Sequence, residues 1–205
     1  MPTSQFATEI TMGSLRISSR ATRSQSGLIT HELTSDTGLL GGQAGTLTTY
    51  TDESNGVATL GADHGITQSS LVDVFWPGGL RYGMTAATVS GPDVTLSGGS
   101  GDDLPSQYTE VIVSPRTELV TAFAGDDVDA IAAWSDTRMH LLFADSTDAA
   151  LYARELVAGE DWHWITGRGL ANPLAGMDVA KLFVSVGAAT PGELKLGVQY
   201  DSTPA

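Results

Sequence analysis

LVDVFWPGGLRYGM, residues 71–84, sets Val72, Val74 and Trp76 in alternation with Leu71, Asp73 and Phe75, and resumes after Pro77-Gly78-Gly79 with Leu80-Arg81-Tyr82-Gly83-Met84. Alternation broken by a short glycine-rich stop predicts a β-hairpin. Both strands are rich in aromatic and β-branched side chains, and an isolated hairpin is marginal in water, so further strands or another chain must cover it.

The neighbouring sequence supplies those strands. Between Gly45 and Val113 the pattern is short and evenly punctuated: TLTTYT, a turn at Asp52–Gly56, VATL, a loop at Gly61–Gly65, the hairpin, Val94–Leu96 and Tyr108–Val113. A small closed or nearly closed barrel buries so many short strands without leaving long edges. Residues 45–113 are therefore expected to form an inserted small β-barrel domain. The glycine-rich stretch Thr37–Gly45 reads as its entry linker, and Ser114-Pro115-Arg116 as its exit, because proline cannot donate to a ladder.

On either side the strands are longer: Leu28–Leu33 before the insert, then Glu118–Ala124, Val128–Trp134, Met139–Ala144, Leu151–Val157, Val179–Val186 and Glu193–Tyr200. The last two are separated by a hairpin-sized loop, and a turn is expected at Gly125-Asp126-Asp127. Asp148–Val157 suits a capped short helix as well as a strand. Residues 1–44 and 114–205 together supply enough strands for a β-sandwich, jelly-roll-like in kind, and the fold class is all-β.

Composition narrows the function. The chain has 205 residues, is 41% hydrophobic, and contains 24 glycines and no cysteine. Disulfide scaffolding, zinc–thiolate sites and thiol catalysis are excluded together. A net charge of −14 with ten basic residues argues against a grip on phosphate backbones, so nucleic acid is not an expected partner. The start MPTSQFATEI has no basic segment leading into an apolar run, and no stretch is long and apolar enough to span a bilayer. The expectation is a soluble protein without a signal peptide and without a membrane partner.

The sequence carries no recognisable catalytic motif. No Gly-x-Ser-x-Gly elbow, phosphate-cradling loop or dinucleotide fingerprint occurs, and His31, His64, His140 and His163 lie far apart in the chain. No catalytic residue and no cofactor is expected. Gly98-Gly99-Ser100-Gly101-Asp102-Asp103 matches the start of a calcium-binding β-roll repeat, which makes Asp102 and Asp103 the candidate calcium ligands. A single copy, with Pro105 where a large apolar residue belongs, favours a plain turn. Asp126, Asp127 and Asp129 read as a solvated hairpin tip.

Two features suit assembly. Arg16, Arg20 and Arg23 give the N-terminal arm a positive charge opposite to that of the body, which fits pairing with a neighbouring subunit's acidic face or an ordinary strand with solvated arginines. Trp162 and Trp164, in Asp161-Trp162-His163-Trp164, share one face if the segment is a strand, with core packing, an interface anchor or a sugar platform as their uses.

The phrases GTLTTYTDESNGVATLGADHGI (45–66), VDVFWPGGLRYGM (72–84), WHWITGRGLANPLAG (162–176) and ELKLGVQYDS (193–202) resemble a family of uncharacterised proteins encoded in the structural modules of tailed phages and prophages. The resemblance implies a non-enzymatic virion protein, assembled in the host cytoplasm, whose partners are other copies of itself and other virion proteins. A capsid decoration protein binding the head shell as an oligomer is the first expectation. A tail tube or other tail component, and a carbohydrate-binding or adhesive module, are the alternatives, and a hydrolase with a dispersed site is the remotest.

Overall fold

The computed structural model describes residues 39–200 and, by backbone alone, 6–12, 15–21 and 27–33. The hairpin centred on Pro77-Gly78 is present as strands β6 (Leu71–Trp76) and β7 (Gly79–Ser90). Gly78 sits at φ 91°, which with proline before it is the type II turn pattern and is open to glycine at no steric cost.

Four more strands complete a closed barrel around it: β4 (Gln43–Asp52), β5 (Asn55–Leu60), β8 (Asp93–Gly101) and β9 (Glu110–Pro115), in the order β4-β5-β8-β7-β6-β9. Consecutive β6, β7 and β8 form a meander and β9 returns beside β6, a Greek key, so no strand is left as an edge. Alternate residues fill the interior. Leu47, Ala58, Val74, Met84, Leu96 and Val113 are all fully buried in one cluster.

The remaining strands form a second unit. β3 (Gly27–Leu33) precedes the barrel; β10 (Thr117–Ala124), β11 (Val128–Ser135), β12 (Met139–Ala144), β13 (Ala150–Leu156), β14 (Asp161–Ile165), β15 (Asp178–Val186) and β16 (Leu194–Tyr200) follow it. They make two four-stranded sheets, β10-β15-β12-β13 and β14-β11-β16-β3. Counting these eight strands along the chain from β3, the sheets read 2-7-4-5 and 6-3-8-1. Every connection except the β12–β13 hairpin crosses from one sheet to the other, which is the jelly-roll topology. The sheets are joined through aromatic contacts: Phe143 of β12 meets Trp162 of β14 edge-on at 6.4 Å, and Phe123 of β10 stacks on Tyr200 of β16 at 6.0 Å. The fold is therefore all-β, a jelly-roll sandwich with a barrel inserted between its first and second strands.

The opposite face of the β14-β11-β16-β3 sheet is also covered. Ala132 pairs with Gly197 there, and Ala130, Ala132 and Gln199 are buried. The antiparallel hairpin of β1 (Phe6–Met12) and β2 (Leu15–Ala21) lies against β11 and β16. Small residues on that face allow its backbone to approach closely.

Several local expectations change. Gly41 and Gly42 are no flexible linker: a Cβ on Gly41 would stand 2.6 Å from the Thr190 carbonyl carbon, and one on Gly42 2.3 Å from Ile112 Cγ2. Glycine is required there for close approach, and Gly42 N–H donates to the Ala188 carbonyl at 2.8 Å. Accordingly the barrel unit takes in Leu39–Thr117 and Ser185–Gly192, wider than residues 45–113. Pro115 is the last residue of β9 and pairs with Val72, so the strand does not stop before it. Residues 187–192 join strands of different sheets and are not a hairpin loop; the same holds for 125–127, a 3₁₀ turn between β10 and β11. Within Asp148–Val157 the chain is a strand at Ala150–Leu156, and Asp148 stands at φ 67° where a helix cap would need extended backbone. No helix among the described residues is long and apolar enough to cross a membrane.

Candidate functional site

Polar side chains that a sequence reader would test for chemistry are engaged in building the barrel. Between Val72 and Val74 the β6–β7 ladder slips by one residue, and Gly83 takes φ 69° opposite Asp73. Such a bulge re-aims the side chains around it. Asp73 Oδ1 accepts from the Gly83 N–H at 2.8 Å and from Arg116 Nε at 2.9 Å, while Oδ2 accepts from the Ser185 hydroxyl at 2.6 Å. The Asp73 and Arg116 side chains are 1% and 6% exposed. Ser114 Oγ accepts from the Val186 N–H at 3.0 Å, so two side chains of the barrel fasten the start of the 185–192 segment. A buried charge costs several kcal/mol unless paired and hydrogen-bonded, as both are here.

The calcium-like loop has its own cation. Gly98, Gly99 and Gly101 all adopt positive φ and fold the chain around the guanidinium of Arg81. Arg81 Nε donates to Gly98 O at 2.7 Å, one terminal nitrogen to Asp102 O at 2.9 Å and the other to Gly99 O at 3.1 Å. Asp102 Oδ2 accepts from the Leu80 N–H at 3.0 Å. The carbonyl oxygens a hard cation would take are thus bonded to an arginine, and Asp103 is exposed. Among the described residues no group of three or more His, Asp or Glu is placed to hold a metal ion.

His64 is buried with both ring nitrogens used. Nδ1 accepts from the Ile66 N–H at 3.0 Å, so in the neutral ring the proton sits on Nε2 and is donated to Gly91 O at 3.0 Å. It staples two loops. His140 is buried within β12, and His163 is exposed on the face of β14 opposite the tryptophans.

Trp162 and Trp164 do share one face of β14. Trp164 is buried, and its indole N–H donates to Leu170 O at 3.2 Å. Trp162 is half-buried; Tyr152 of β13 stacks on it at 6.1 Å, and the Arg154 guanidinium lies 5.5 Å from its ring centroid. The group closes the sandwich where the edge strands β13 and β14 meet. Arg23 lies outside the described residues, and Arg16 and Arg20 are described by backbone only, so the arm's side chains are not located.

One surface was not anticipated. Residues 103–110 run beside residues 46–53 of β4: Glu110 pairs with Thr46, Tyr108 N–H donates to Leu47 O at 2.7 Å, Gln107 Nε2 bonds Thr48 O, and Leu104 N–H donates to Glu53 O at 2.9 Å. This strip displays two tyrosines, Tyr50 at 41% and Tyr108 at 73% exposure, and Tyr108 holds φ 70°. Glu53, Asp103 and Glu110 lie exposed along it. The barrel unit has eight carboxylates and two cations, and both cations, Arg81 and Arg116, are turned inward. Only Asp73 of the eight is internal, so the barrel's outer surface is uniformly anionic. Acidity was legible in the composition; the inward turn of the two arginines was not.

The chain matches no protein-family model, no curated protein and no solved structure.

Proposed function

We propose that this chain is a non-enzymatic structural protein of a tailed-phage particle, a decoration protein that binds the head shell as an oligomer. The observation that carries the reading is the use of its reactive side chains: those of His64, Asp73, Arg81 and Arg116 are buried and hydrogen-bond to backbone, to the Ser185 hydroxyl or to one another. An active site needs such groups presented to a substrate. The jelly roll adds support by analogy, since this topology recurs in viral capsid domains and in lectins, and the sequence resemblance points the same way.

The experiment is immunogold labelling of particles released from the strain that encodes the chain. Label over heads supports the decoration reading, label confined to tails moves the protein to the tail, and unlabelled particles overturn both.

A second reading, an adhesive module that binds glycans, is favoured by the Tyr152–Trp162 stack with Arg154 beside it, because aromatic faces and arginine are the groups that engage sugars. Quenching of tryptophan fluorescence by a glycan, lost in Trp162→Phe, would support it.

A further inference from the structure

We propose that the tyrosine strip of the barrel, residues 46–53 with 103–110, receives the arginine-bearing segment around Arg16, Arg20 and Arg23 of a second copy of this chain.

The strip pairs two kinds of group that together suit arginine. A guanidinium stacks on a tyrosine face while its N–H groups reach carboxylates, and Tyr50 and Tyr108 stand exposed beside Glu53, Asp103 and Glu110. None of these three carboxylates has a side-chain partner among the described residues. Tyr108 is the more telling of the tyrosines: a bulky residue at φ 70° is strained, glycine would hold that turn without strain, and the side chain so placed is almost wholly in solvent.

The complementary surface is within the same sequence. Residues 10–31 contain three arginines and no carboxylate, and nowhere else are basic residues clustered. Because the barrel has no outward cation to repel such a segment, charge selects this pairing over barrel-to-barrel contact. Repeated from copy to copy, the contact is heterologous and builds a closed ring or an open helical filament. The inference rests on the assembly reading only for its use in the particle; the test below needs purified protein alone, so it can fail while particle attachment stands.

The test is sedimentation velocity of the full chain over a range of concentrations at low and high salt. Association that grows with concentration and weakens at high salt is expected. R16E/R20E/R23E should weaken it at least about tenfold, E53K/D103K/E110K likewise, and the two sets combined should restore it. Tyr108→Gly serves as the variant that keeps the fold: its melting temperature should be unchanged or higher while association falls. A monomer at every concentration, association indifferent to either charge set, no rescue in the combined protein, or undiminished association of Tyr108→Gly would each overturn the proposal.

Discussion

Asp73 and Arg116 meet at the β6–β9 side of the barrel with 2.9 Å between Oδ1 and Nε, both side chains almost wholly buried. The same carboxylate also binds the N–H of Gly83 and the hydroxyl of Ser185, so one residue of β6 ties together a bulge, the chain leaving β9 and the start of the 185–192 segment.

Removing one partner should therefore cost far more than removing both. Asp73→Leu or Arg116→Met alone leaves a buried charge without its counterion and is expected to destabilise by about 3–5 kcal/mol. Asp73→Leu with Arg116→Met should cost less than either single change. Denaturant titration of the three variants in a double-mutant cycle measures this, and additive losses would contradict the account.

Phe75 and Gly187 are packed as a pair. Phe75 is 1% exposed, and a Cβ at Gly187 would fall 2.7 Å from its ring. Phe75→Ala should cost about 3–5 kcal/mol by leaving a cavity. Trp76, only half-buried against the barrel core, should cost less when truncated, although sequence alone gives the larger residue the larger role. Thermal melts of the two alanine variants decide the order.

Gly125 docks the β14–β15 loop. Its N–H donates to Met177 O at 2.6 Å, its carbonyl accepts from Asn172 Nδ2 at 2.8 Å, and a Cβ would sit 1.9 Å from Leu174 O, a backbone atom that cannot swing aside. Gly125→Ala should lose about 1–3 kcal/mol or more by overpacking. A neutral substitution, read by urea midpoint, would show that the loop is free to move.

At the β12–β13 turn the Thr147 hydroxyl first, then the Thr147 and Ala149 N–H groups, hold the Asp145 carboxyl below its ordinary value of 3.8. A depressed carboxyl adds stability that is present above the unfolded value and lost as pH falls through the folded one. Asp145→Asn should thus melt below the parent at neutral pH, and the gap should narrow below about pH 4. Because the carboxyl lies in solvent, the effect is small.

What the sequence made legible was periodic. Alternation around Pro77-Gly78 located the hairpin, short evenly spaced strands implied the barrel, and the longer strands on each side in the sequence implied the sandwich. What it hid was long-range. Nothing in Ser185 signals that it binds Asp73, 112 residues away. Sheet-to-sheet crossings at 125–127 and 187–192 look like hairpins because a local turn does not reveal which sheet receives the next strand. Arg81 could not be recognised as the cation of the Gly98–Asp102 loop, since pairing of β7 with β8 brings them together. Tyr108 was hidden for a different reason: positive φ at a non-glycine residue leaves no mark in composition.

The central claim is residence in the particle. Particles banded by density from the encoding strain should contain this chain at many copies each by quantitative mass spectrometry, with heads carrying it after tails are removed. Detection only in the soluble lysate, with none in banded particles, would contradict the account.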